Sequence, residues 1–109
     1  MIKIVLKGQM LFYKDNEIIR FEAKNKKTAI HFIDNTLSEI AEPIGSIESQ
    51  LKNHGFIRIH SNHLVNVNHI TGIPNQSPGF IELNKSQLLP ISTEQHKIII
   101  QLISTHLKM

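Results

Sequence analysis

Between His60 and His69 the chain carries three histidines, three asparagines and a serine: His60, Ser61, Asn62, His63, Asn66, Asn68 and His69. Side chains of these types can ligate a metal, move a proton, or exchange hydrogen bonds with neighbours and ligands. The spacing of His60, His63 and His69 raises a zinc site. No thiolate can join it, because the chain has no cysteine, and no Asp or Glu occurs from residue 49 to residue 81. Strand alternation would also send His60 and His63 to opposite faces unless a bulge intervened. Hydrogen-bonding roles therefore outweigh metal ligation, and no metal or other cofactor is expected. Covalent catalysis has no better footing, since the sequence holds no P-loop, no GxGxxG, no GxSxG elbow and no cysteine nucleophile. Glu22 is expected to partner a backbone amide or a basic group at a strand end. Glu48 is expected as an exposed acid early in a helix, where the dipole favours it.

What remains is a polar recognition surface. Lys24, Lys26 and Lys27 form the only concentrated positive run. Lysines contact backbone phosphates without fixing a base sequence, whereas amide and hydroxyl side chains can read groove edges. Ser61, Asn62 and His63 sit beside a strongly apolar, strand-forming stretch. Two readings stand for them: a turn that satisfies its own backbone, or a surface presented to a ligand. The lysines divide in the same way between a solvated loop and a phosphate contact.

The elements that would position these groups are mostly short strands. Ile2 to Leu6, Met10 to Tyr13, Glu17 to Glu22 and Thr28 to Ile33 are expected as strands, separated by Gly8, Asp15–Asn16 and the Lys24–Lys27 loop, with Asp34–Asn35 beginning the next turn. Ser46 is expected to cap a short helix carrying Ile47 and Leu51 on one face. Strands resume at Phe56 and Leu64, and Gly72, Pro74, Asn75, Pro78 and Gly79 mark a long turn region. Phe80 to Leu83 and Gln87 to Ile91 then form a pair around Asn84–Lys85. The last element is the clearest helix. Ser92 and Gln95 have the spacing of a capping box, and Ile99, Ile103 and Leu107 repeat every four residues with Ile98 and Leu102 beside them. That stripe is expected to pack a core or a subunit contact.

The 109 residues fit one domain, 1–109, large enough to bury a core without disulfides. Formal net charge is +3, and residues 52–109 hold five basic against two acidic side chains. That balance tolerates nucleic acid as a partner without demanding it. No apolar run approaches the roughly 20 residues of a membrane span, and MIKIVLKGQM is too interrupted for a signal peptide, so a cytoplasmic location without membrane insertion is the expectation.

The run GFIRIHSNHLVNVNHITGI, from Gly55 to Ile73, closely resembles the core signature of the LytTR DNA-binding domain, found at the output end of many bacterial response regulators. EIIRFEAKNKKTAIHF before it and LNKSQLLPISTEQHKIIIQLI after it extend the likeness from about Glu17 to Leu102. The resemblance implies a mostly β, elongated multi-stranded fold with short helices, including a C-terminal one. It implies a regulator of transcription that binds double-stranded DNA sequence-specifically through loops, at paired sites or as a homodimer. Carried over by position, it places Lys26, Lys27 and Thr28 in one contact region, His60, Ser61, Asn62 and His63 in a second, and Thr93, Gln95 and Lys97 in a third. Lys26, Lys27 and Lys97 would hold phosphates, while Thr28, Ser61, Asn62, Thr93 and Gln95 would read the grooves. Two departures matter. The family often has arginine where this chain has Ser61 and Thr93, and neither residue can make the bidentate fork that arginine offers guanine. The resemblance thus implies an altered base preference, or a fold retained as a regulatory protein-interaction or dimerisation module.

Overall fold

The computed structural model of the chain describes residues 1–74 and 79–107. Ten strands and two helices follow one another: β1 (Ile2–Leu6), β2 (Gln9–Tyr13), β3 (Ile18–Lys24), β4 (Lys27–Phe32), β5 (Leu37–Ile40), α1 (Ile44–Gln50), β6 (Phe56–His60), β7 (His63–Asn66), β8 (Ile70–Gly72), β9 (Phe80–Leu83), β10 (Gln87–Pro90) and α2 (His96–Leu107). A short 3-10 turn, Val67–His69, links β7 to β8. The turn expected around Asn75 and Pro78 lies outside the described residues. The centre is a five-stranded antiparallel sheet in the order β5-β4-β3-β7-β6. A hairpin of β1 and β2 and a three-stranded sheet β10-β9-β8 complete a mostly β molecule of 44 × 25 × 24 Å.

Alternation along the central strands feeds two separate cores. Leu64 and Val65 are neighbours on β7, yet Leu64 joins one apolar cluster and Val65 the other; Phe56 and Ile57 divide the same way on β6. The first cluster gathers Ile2 and Ile4 of β1, Phe21 of β3 and Ile44, Ile47 and Leu51 of the α1 segment, with the Phe21 and Phe56 rings 5.4 Å apart. The second gathers Ile81 and Leu83 of β9, Leu89 of β10 and Ile99 and Ile103 of α2. Each buried Ile, Leu or Phe contributes roughly 1.5–3 kcal/mol by leaving water. The C-terminal stripe is therefore core packing at Ile99 and Ile103, each 1% exposed, while Ile98 and Leu102 face outward.

Both helix starts differ from the sequence expectation. Ser46 does not cap α1: the cap position is Pro43, which makes no side-chain capping bond, and the helix begins at Ile44 because that residue is itself buried in the first cluster. Glu48 consequently sits past the first turn and pairs with Arg58 at 2.7 Å. At α2 the carbonyl that accepts from Ile99 belongs to Gln95, at 2.9 Å. Ser92 is held back at the sheet, its N–H donating to the Ile59 carbonyl at 2.7 Å, so the helix starts beyond it at His96.

Part of the polar run is consumed by the fold. Asn66 is 1% exposed, and its amide donates to the carbonyls of Asp15 (3.1 Å) and Ile18 (2.9 Å), while its Oδ1 accepts from the Asn68 N–H (3.0 Å). His69 bridges the Asn16 carbonyl and the Asn84 side chain, each at 3.0 Å. These residues fasten the Asp15–Asn16 and β9–β10 turns to the β7–β8 link.

Candidate nucleic-acid interface

The first expected contact region is the tip of the β3–β4 hairpin. Lys24 pairs with Lys27 across it, leaving Asn25 and Lys26 as the loop, and Asn25 takes φ 59°, a left-handed conformation asparagine tolerates better than most residues. Lys24, Asn25, Lys26 and Lys27 are all exposed. The ion pairs among the described residues engage Arg20, His31, Arg58 and the N-terminal amine but no lysine. Thr28 does not belong with them. It is 0% exposed, and its hydroxyl donates to the Glu42 carbonyl. As the neighbour of Lys27 on a strand, it points into the protein, so it cannot read a groove edge as expected.

The second region is the β6–β7 turn. A register shift between Arg58 and His60 breaks the alternation, and His60 pairs with His63. That bulge sets the two imidazoles together, with centroids 5.5 Å apart, where regular alternation would have separated them. Ser61 and Asn62 are exposed at the tip, while both histidines are half-buried behind it. The Asn62 N–H donates to His60 Nδ1 at 3.2 Å, and the Asn62 carbonyl accepts from Ala23 N–H at 3.0 Å. The second bond ties this turn to β3 just before the lysine tip.

The third region is the approach to α2. The bond from Ser92 to Ile59 brings it against β6, and an open depression of about 450 Å³ lies between His60–Ser61 and Ser92–Glu94. Thr93, Glu94, Gln95 and Lys97 are exposed. Glu94 puts a negative charge among groups expected to meet phosphate, opposing the helix-start amides there.

Behind the two turns lies a polar cluster. Glu22 accepts from His31 Nε2 at 2.9 Å and pairs with Arg20 Nη1 at 3.6 Å, as its expected role with a basic group requires. Gln87 Oε1 accepts from Arg20 Nε at 3.0 Å, linking the central sheet to β10. His63 stands opposite Glu22 in register, and its buried Nδ1 has no hydrogen-bond partner among the described residues. Burial, aided by the Arg20 charge, pushes its imidazole down to about 4. Burial lowers His31 as well, against the pull of its Glu22 bond. The Glu22 carboxyl is raised by burial, but the His31 bond and the Arg20 charge override that and leave it below the ordinary carboxylate range. Among the described residues no set of three His, Cys, Asp or Glu is arranged to hold a metal ion.

The family model for the LytTr DNA-binding domain matches residues 8–104, nearly the whole chain. The chain belongs to this family. Among solved structures, this LytTR domain is similar to the LytTr DNA-binding domain of a Bacillus cereus protein described as a methyl-accepting/DNA response regulator. The TM-score is 0.69 at 20% identity, covering 99% of this chain and 96% of the other, a likeness of fold. No match was found among curated proteins. No helix among the described residues of this LytTR domain is long and apolar enough to cross a membrane. Two arginines stand behind these turns without having been expected there. Arg20 and Arg58 each interrupt an apolar strand run, in EIIRFEA and GFIRIH, and that interruption was the available signal.

Proposed function

We propose that this LytTR domain is a bacterial transcriptional regulator that binds double-stranded DNA sequence-specifically through its β3–β4 tip, its β6–β7 turn and the approach to α2. One observation carries the reading: three exposed polar segments, remote in sequence, are joined by the Ala23–Asn62 and Ile59–Ser92 backbone bonds. Lys26, Lys27 and Lys97 fix the phosphate backbone, and Ser61, Asn62, Thr93 and Gln95 read base edges. His60 and His63 support the turn from behind. With Ser61 and Thr93 in place of arginine, base preference is altered, and a larger share of affinity falls to the lysines.

The test is selection from a randomised duplex library at several salt concentrations. One preferred duplex family should emerge. Replacing Lys26 and Lys27 together with alanine should weaken binding about tenfold on all duplexes and reduce the slope of log affinity against log salt by about two. No enrichment, together with unchanged binding by the double variant, overturns the reading.

A second reading, assembly through a second copy, is favoured by the outer face of α2, where Ile98 is 60% and Leu102 44% exposed. Replacing both with serine should then leave the melting temperature within a few degrees and convert a dimer to a monomer in light scattering. A wild-type chain already monomeric at high concentration removes this reading.

A further inference from the structure

The exposed tip of the β6–β7 turn is held by the side chain of Arg58. A guanidinium presents N–H donors in one plane. Arg58 directs Nε to the His60 carbonyl at 3.0 Å and Nη2 to the Ser61 carbonyl at 2.6 Å. Those two carbonyls belong to the peptide planes on either side of Ser61. Holding both planes fixes the Ser61 backbone dihedrals, and with them the direction in which Cβ and the hydroxyl leave the chain. The third arm, Nη1, donates to Glu48 Oε1 at 2.7 Å. Glu48 stands on α1, whose Ile44 and Ile47 are buried in the first cluster, so the brace is rooted in the core.

We infer that Arg58 is a positioning residue for DNA recognition: anchored by Glu48, it sets the geometry of the Ser61–Asn62 turn that reads the duplex. The inference rests on the DNA-binding reading above. Serine has one short rotatable hydroxyl, so its value as a reader depends on where the backbone aims it. Asn62 is held from two other directions, by His60 at its N–H and Ala23 at its carbonyl, and the Ser61 hydroxyl lies 3.5 Å from His60 Nδ1, so what Arg58 governs is the Ser61 backbone. The bulge between Arg58 and His60 brings the guanidinium under the turn it grips.

A lysine at this position keeps the charge but loses the fork. That separates positioning from phosphate contact and from simple stabilisation. The experiment compares wild type, Arg58→Lys, Arg58→Gln and Glu48→Gln on two probes: the duplex most enriched by the wild type, and a shuffled duplex of equal length and composition. All are measured well below each variant's melting temperature. Both Arg58 variants should lose about tenfold or more of the preference for the enriched duplex, and Arg58→Lys should keep the wild-type salt slope. Glu48→Gln should lose preference in the same direction, by about threefold, without weakening binding to the shuffled duplex. Amide exchange at Asn62, whose N–H bonds His60 within the turn that Arg58 braces, should quicken in Arg58→Gln while the β3 amides stay protected. Preference kept by Arg58→Lys, or an equal loss on both duplexes, overturns the inference and leaves the DNA reading standing. A wild type that prefers no duplex, with binding unchanged by the Lys26 and Lys27 double variant, overturns both.

Discussion

Asn66→Ala is expected to cost the domain about 3 kcal/mol of unfolding free energy, read as a lower urea midpoint at unchanged slope. The amide of Asn66 replaces water for two backbone carbonyls, Asp15 and Ile18, while its Oδ1 serves the Asn68 N–H. Alanine leaves three backbone groups without their partner at a buried position. The bond to the Ile18 carbonyl is the fully buried one, and a buried polar group left unpaired costs roughly 1–3 kcal/mol. The groups nearer the surface recover part of their loss by hydration. Asn66→Asp should fare no better at neutral pH, because it deletes both donors and introduces a charge where none is balanced. Asn68→Ala, which removes only an exposed side chain, should stay within about 0.5 kcal/mol of wild type. A loss below about 1 kcal/mol in Asn66→Ala would show that the carbonyls find other donors.

The second large effect is a loss of stability on mild acidification. In the folded domain the His63 imidazole titrates at about 4, held down first by burial and then by Arg20. In the unfolded chain it titrates near 6.5. The unfolded state thus binds the proton first. Stability from this group is complete above about pH 6.5 and declines as the pH falls toward 4. The full interval corresponds to at most about 3 kcal/mol, and solvent access to a half-buried ring reduces that to about 2 kcal/mol. His31, also lowered by burial, acts in the same direction. The lowered Glu22 adds its own loss in the carboxylate range below that window. Urea midpoints between pH 7 and pH 4.5 should fall steadily for the wild type, and the fall should be roughly halved in His63→Gln. An identical pH profile for the two proteins would exclude His63 as the source.

The sequence exposed the fold wherever apolar alternation was strong. β1, β3, β6 and β9 each place buried residues with strand periodicity or in a short apolar run bounded by turn residues. β5 and β8 were invisible for a physical reason. β5 is an edge strand with one buried residue in four, and β8 is three residues including Thr71 and Gly72, so both exist because a neighbour pairs with them. At the site, residue types singled out Lys24–Lys27 and Ser61–His63 as polar segments, and the family resemblance added Thr93, Gln95 and Lys97; neither gave the directions of the side chains. Thr28 was placed beside the lysines by the family resemblance, and its full burial and its bond to the Glu42 carbonyl show it turned inward. The neighbouring rings of His60 and His63 depend on one extra residue in β6, which periodicity cannot locate. Glu48 and Arg58 are ten residues apart on different elements, so their pairing emerges only from packing.

The division of the apolar side chains into two clusters has a consequence for how the molecule comes apart. Each cluster has its own cover, β1 and α1 on one side, β9, β10 and α2 on the other, and the central strands supply alternate residues to both. Losing one cover leaves the other cluster intact, so partial opening is cheaper than complete unfolding from either side. Amides of β3 and β7, paired within the central sheet and flanked by both clusters, are expected to exchange last. The β3–β4 and β6–β7 turns hang from the strand ends of this unit, so their framework is expected to outlast local breathing on either side.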